Sequence, residues 1–236
     1  MRNIFTFSLK RSGQHAIINW ICKQESCKYL HINDCGIVNN TTVHSGYCND
    51  NGNIRILNAI HNIQDYDLVV RSFEDKYIEK IPDIEGESII ILRDPFNLLA
   101  SRFKKSNKTN LFFPNDIWSQ HAQCEDHLII YFNKWFFCRE YRKEIARKLG
   151  IKFTDNGLED ISWYGFSSFN GYDFDKKAQE MDMLDRWKEY ENDDYLWNLV
   201  EPDNKNFALG IFDLPDEMIE KFEYIEEDSE EEAIIC

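Results

Sequence analysis

Two short runs carry residue types that hold anions. Lys10-Arg11-Ser12-Gly13-Gln14-His15-Ala16 follows an apolar segment and leads into a helical pattern. A glycine at such a junction lets backbone amides approach a phosphate oxygen, and the helix N-terminus adds a favourable dipole. Lys10 and Arg11 bring positive charge to the same point. The second run is Arg93-Asp94-Pro95, with Ser101 eight residues after the arginine. That spacing is about two helical turns. A guanidinium at a strand end and a hydroxyl on the next helix could hold a second phosphate. Either run alone also fits an ordinary strand-to-helix turn. The triphosphate signature G-x-x-x-x-G-K-[ST] is absent, because Gln14 and His15 follow Gly13.

These residues need elements to position them. Residues 3 to 9, rich in Ile, Phe and Thr, read as a first strand. Residues 13 to 24 place Ala16, Ile17, Trp20, Ile21 and Gln24 at helical spacing. Tyr29 to Ile32 reads as a short strand, and 55 to 59 as a weak one. Residues 33 to 54 are polar and turn-rich and read as a long loop. Two apolar runs follow, one in DYDLVVRSFED (65–75) and one in ESIIILRDPFNLLASRFKK (87–105). The Ile-Ile-Ile-Leu run suits a strand buried on both faces, as in a parallel sheet. Asp94 can cap the next helix, with Pro95 at its first position. A helix over about 115–125, the apolar segment HLIIYFNKWF, and a helix ended by Gly150 complete the pattern. Strand and helix alternate, so the fold class is α/β, a three-layer sandwich with a mainly parallel central sheet. In such sheets ligands bind beyond the carboxyl ends of the strands. Lys10–His15, Arg71–Asp75 and Arg93–Asp94 all end strands, and they should converge on one crevice.

Composition sets the class limits. The chain has 236 residues, 43% hydrophobic and 14% aromatic, enough for one domain with a sizeable core. Residues 1–224 read as that domain. Residues 225–236 read as an acidic, solvated or disordered tail. The net charge of -15 argues against a general nucleic-acid or anionic-membrane binder, though not against a small anionic ligand. No apolar run is long enough to span a bilayer, and a strand begins almost at once, so neither a membrane span nor a signal peptide is expected. Seven cysteines without CxxC pairing fit reduced thiols in a cytoplasmic setting. A zinc site from Cys22, Cys27, Cys35, His31 and His44 has irregular spacing, and no metal is expected.

Together the two anion-binding runs resemble the sulfotransferases that use 3′-phosphoadenosine 5′-phosphosulfate. That family carries a strand-loop-helix of the type [KR]-S-G-[TS]-[TS]. Later comes a strand ending in Arg, then Asp-Pro or similar, with Ser eight residues after the Arg. Here the motifs are Arg11-Ser12-Gly13-Gln14-His15, and Arg93-Asp94-Pro95 with Ser101. Their order and separation of roughly eighty residues match the family pattern. The segment LIIYFNKWFFCREYRKEIARKLGI extends the resemblance to about residue 152. The departures are Gln14 and His15 in place of two hydroxyl residues, and Arg11 in place of lysine.

The resemblance implies sulfuryl transfer from 3′-phosphoadenosine 5′-phosphosulfate, as co-substrate, to a hydroxyl or amine acceptor by in-line attack. Arg11, assisted by Lys10, would stabilise the leaving group. Arg11, Ser12, Gly13, Gln14, His15 and Ala16 would line the phosphosulfate, and Arg93 and Ser101 the 3′-phosphate. The family's base lies near the end of the preceding strand, where Glu74 and Asp75 stand. Glu74 is favoured, His15 and His61 are rivals, and Arg71 could contact the sulfonate. The late segment WYGFSSFNGYDFDKK (163–177) would close the nucleotide site through Ser167, Ser168 and Phe169. It reads equally as a glycine-bounded turn with aromatics in the core. MLDRWKEY (183–190) reads as an amphipathic helix in which Arg186 could reach an anion, a surface salt bridge being the more common fate. The acceptor would be a small molecule or a glycan. Two other readings stay open. One is a P-loop nucleotide kinase-like enzyme. The other is a nucleotide-binding module that has lost turnover.

Overall fold

The computed structural model describes residues 1–38, 41–43, 47–50, 53–56, 62–80, 85–105, 111–161, 167 and 169–221. His44, His61, Ser168, residues 57–59 of the weak strand candidate and the acidic tail 225–236 lie outside them.

The centre is a seven-stranded sheet in the order β6-β5-β2-β7-β1-β8-β9. Its strands are β1 (Arg2–Ser8), β2 (Tyr29–Ile32), β5 (Tyr47–Asp50), β6 (Asn53–Ile56), β7 (Leu68–Glu74), β8 (Glu87–Leu92) and β9 (Leu128–Tyr131). The five strands β2-β7-β1-β8-β9 are mutually parallel. The α/β class with a mainly parallel sheet is therefore as the sequence reads. From β1 the chain goes to β2 and β7 on one side, then to β8 and β9 on the other. This change of direction opens a crevice at the carboxyl end of β1.

Burial on both faces explains the sequence of the central strands. In β8, Ile89 and Ile91 pack with Ile4 and Val70 against helices α1 (Gln14–Lys23), α4 (Phe132–Phe137) and α5 (Arg139–Lys148). Ile90 faces the other way, with Phe5, Phe7, Val69 and Phe73. A third cluster joins α2 (Pro95–Lys105), α3 (Asn115–Ala122), α6 (Asp194–Trp197) and α7 (Pro202–Ile211) around Phe96, Leu99, Trp118 and Trp197. Each such side chain taken from water contributes about 1.5–3 kcal/mol.

Two local readings need correction. Residues 33–54 are not one long loop. They contain β3 (Gly36–Val38) paired antiparallel with β4 (Thr41–Val43), and β5, which pairs antiparallel with β6. The register Asp50↔Asn53 brackets Asn51-Gly52, a dipeptide that marks hairpins in sequence. Strand and helix therefore do not alternate between β2 and β7. The stretch 183–190 forms only a 3-10 turn, Arg186–Tyr190, rather than an amphipathic helix. Its residues answer to Asn97 and Ser101 of α2, since Asn97 donates to Leu184 O and accepts from Trp187 N.

Helix α2 starts as expected. Asp94 Oδ1 accepts from Asn97 N at 2.7 Å, and Pro95 is the first helical residue. The rest of the Asp94 carboxylate is taken by the side-chain amides of Asn97 and Asn133.

The chain after α5 is tied to the C-terminal half of α1 and its cap, Gln24. Gln24 Oε1 accepts from Thr154 N and Asp155 N, and its amide donates to Asn156 O. Trp20 Nε1 and Arg142 both donate to the Asp155 carboxylate. Lys23 pairs with Asp160. Segment 154–160 thereby becomes a fixed wall beside α1.

Candidate functional site

The crevice at the end of β1 holds a cavity of about 270 Å³. Its lining includes Lys10, Arg11, Gly13, Gln14, His15, Ala16, Glu74, Arg93 and Ser101. Three separate strand ends thus meet there, because Ser8 of β1 is level with Glu74 of β7 and with Ile91 of β8. Phe132, Trp135, Leu158, Met181 and Met183 supply apolar wall.

The loop between β1 and α1 turns through two left-handed residues, Arg11 at φ 75° and Gly13 at φ 83°. Ser12 N donates back to Leu9 O at 3.1 Å. Gly13 is the N-cap of α1; no side chain caps it, and no acid stands in its first turn. The positive end of the helix dipole therefore faces the cavity, where the nearby carboxylate is that of Glu74, bound to the Gln14 side chain. A Cβ on Gly13 would clash with the edge of the Phe132 ring. Gly13→Ala is accordingly expected to cost at least about 2 kcal/mol, combining left-handed strain with overpacking. Chemical denaturation of the two proteins measures this.

Arg93 is buried, with 1% exposure. Its Nη1 donates to Arg11 O at 3.1 Å and to Ser101 Oγ at 3.2 Å, and its Nη2 donates to Met183 O. The guanidinium also lies 5.0 Å from the Phe132 ring centroid. Ser101 in turn accepts from Arg186 Nη1 at 3.1 Å and donates to Asn97 O at 2.7 Å. Arg186 is no surface residue; it is buried, with 6% exposure, and it lines the cavity. Its Nη2 donates to Ser167 Oγ at 2.8 Å, and the Phe169 ring lies 4.8 Å away.

Charge balance is the main feature of this site. Among the described residues no carboxylate forms an ion pair with Arg93 or Arg186, and the Nε of each has no hydrogen-bond partner. Burial pushes the Arg93 guanidinium down to about 10, with Asp94 opposing. Burial pushes Arg186 down to about 8, and the charges of Arg93 and Arg11 add to the effect. Burial lowers Arg11 too, with Glu74 opposing and Arg102 adding. A guanidinium stays charged in a protein. Three crowded cations in one cavity therefore hold free energy that a bound anion would release.

The carboxylate side is different. Glu74 accepts from Gln14 Nε2 and lies 3.5 Å from His15 Nε2. Ser8 Oγ donates to the Gln14 carbonyl at 2.6 Å, which fixes that amide. Burial raises the Glu74 carboxyl. The hydrogen bond from His15 and the charges of His15 and Lys10 outweigh burial and hold it below the ordinary carboxylate value. His15 stacks obliquely near His31, whose ring bonds Ser72 Oγ at 3.0 Å. Burial, then His15, hold His31 well below the usual histidine value, so it is a neutral core histidine.

Other sequence candidates fall elsewhere. Arg71 does not reach the cavity. It donates to Asn3 Oδ1 at 2.8 Å and lies over Phe5, on the opposite face of the sheet. Asp75 is bound by Arg102 and does not line the cavity. Ser12 is buried in the loop, and Phe169 stands behind Arg186. Ser167 does line the cavity. Cys22, Cys27 and Cys35 are free thiols, and among the described residues no group of three His, Cys, Asp or Glu side chains is placed to hold a metal ion. Among those residues no helix is long and apolar enough to cross a membrane.

No protein-family model matches the chain, and no curated protein matches it in sequence. Among solved structures, mouse sulfotransferase SULT7A1 complexed with PAP is similar in part. The TM-score is 0.45 and the identity 14%, over 66% of this chain and 61% of that one. The chain thus spans less than two thirds of that protein's length.

Proposed function

We propose that this protein is a sulfotransferase. It would move a sulfuryl group from 3′-phosphoadenosine 5′-phosphosulfate to a hydroxyl or amine of a small molecule or glycan. The observation that carries this reading is the set of three cavity arginines, Arg11, Arg93 and Arg186, two of which have no acid partner among the described residues. The cavity chemistry fits a ligand with two separated anionic groups and an apolar body. One group suits the uncapped α1 N-terminus with Arg11 and Lys10. The other suits Arg93, Ser101, Ser167 and Arg186. The apolar body suits Phe132, Trp135, Leu158 and Met181.

The donor supplies the sulfuryl group and a phosphate leaving group; the chain supplies position and charge. Glu74, ionised and held by Gln14 and His15, takes the proton from the acceptor as its oxygen or nitrogen bonds to sulfur. Arg11 and Lys10 offset the charge that grows on the bridging oxygen as the sulfur–oxygen bond to phosphate breaks. Arg93 and Arg186 hold the nucleotide away from that bond, so that binding energy at one end aligns the other.

Titration calorimetry with 3′,5′-bisphosphoadenosine, against ATP with magnesium, tests the reading. Binding of the bisphosphate at micromolar or tighter affinity, with ATP at least about tenfold weaker, is the expected result. A preference for ATP would replace it with a P-loop kinase-like reading.

A further inference from the structure

The anion-binding loop holds a non-glycine residue, Arg11, in the left-handed region. Such a conformation persists only where the surroundings fix it. The residue before it is fixed on both sides. Lys10 N donates to Asp75 Oδ1 at 3.0 Å, and Lys10 O accepts from Arg102 Nη1 at 3.4 Å. Asp75 and Arg102 are themselves joined in a two-pronged ion pair, with Nη1 to Oδ1 at 2.9 Å and Nη2 to Oδ2 at 3.2 Å. Asp75 takes a left-handed φ of 52°, and its own N–H donates to Ser8 O at 2.9 Å. Both side chains are largely buried, at 20% and 11% exposure.

We propose that Asp75 and Arg102 form a positioning clamp for the anion loop, and that Asp75 takes no part in proton transfer. The clamp fixes the Lys10 peptide groups, and Arg93 fixes the next carbonyl, that of Arg11. Arg102 directly follows Ser101 on α2. One helix thereby holds the loop through Arg102 and the two buried guanidiniums through Ser101. A carboxylate bound by a guanidinium and a backbone amide, outside the cavity lining, has no route to an acceptor proton. Its neighbour Glu74 has one.

The inference rests on the donor reading above, and the test separates the two. Asp75→Asn, Arg102→Ala and the double variant are titrated with 3′,5′-bisphosphoadenosine and with adenosine 3′-phosphate, which lacks the 5′ group. Each single variant is expected to weaken the bisphosphate at least about tenfold. Adenosine 3′-phosphate should change by less than about twofold, and the double variant should lose no more than the worse single one. A general loss of structure would weaken both nucleotides alike. Amide hydrogen exchange over residues 9–13, in the ligand-free proteins, is expected to speed up equally in both single variants. Equal losses for the two nucleotides, additive losses, or unchanged exchange would overturn the clamp. If the wild type binds neither nucleotide, the donor reading falls, and the exchange rates alone decide the clamp.

Discussion

Arg93→Ala is expected to weaken 3′,5′-bisphosphoadenosine by at least about 100-fold, because it removes a desolvated cation from a charge-assisted contact. The same change should leave the ligand-free protein nearly as stable, or more so. Arg93 is buried with no ion pair among the described residues, so its charge opposes folding until an anion arrives. The hydrogen bonds it gives to Arg11 O, Ser101 and Met183 O offset only part of that cost. Calorimetry and thermal unfolding, with and without nucleotide, measure both halves. In the wild type the nucleotide should raise the melting temperature, and in the variant it should not. A variant that is much less stable yet still binds would make Arg93 a structural residue only.

Glu74→Gln should lower sulfuryl transfer by about 10²–10⁴-fold, with nucleotide affinity held within about threefold. The exchange keeps the shape but removes the proton acceptor. It is read by single-turnover assays with a panel of phenols, amines and sugars. The pH profile gives an independent reading. On the proposed mechanism Glu74 works ionised; burial raises its carboxyl, but His15 and Lys10 outweigh that and hold its folded value below the ordinary 4.5. Activity is therefore full above that value and is lost only as pH falls through it. An acid limb nearer neutrality would move the proton-accepting role to His15.

The central fold was legible because it depends on runs of residues. The β8 run Ile89-Ile90-Ile91-Leu92 suits burial on two faces, as a parallel sheet covered on both sides provides. The β1 loop and the capped start of α2 were legible for the same local reason. What failed was set by contacts between distant segments. Arg186 looks like a surface residue in its own stretch; Ser101, Ser167 and Met183 bury it. Of the strands after β2, the β5–β6 pair does carry a local signal, Asn51-Gly52 between Asp50 and Asn53. The position of Arg71 follows from strand parity. Arg71 lies three residues from Glu74 on one strand, and side chains an odd number apart point to opposite faces. Ser72 shares the Glu74 face, and it is Ser72 that meets His31.

The wall along residues 154–160 has a consequence for redesign. Trp20, Lys23 and Gln24, which hold it, are not among the residues lining the cavity, yet they fix where Leu158 and Asp160 stand in it. The width of the chamber is thus governed from behind. A shorter side chain at position 23 or 24, away from the Trp20 ring that packs on Trp135, is expected to let that wall retreat and admit a bulkier guest, with no lining residue altered. A search for variants with altered selectivity should therefore include the rear of α1 as well as the cavity itself.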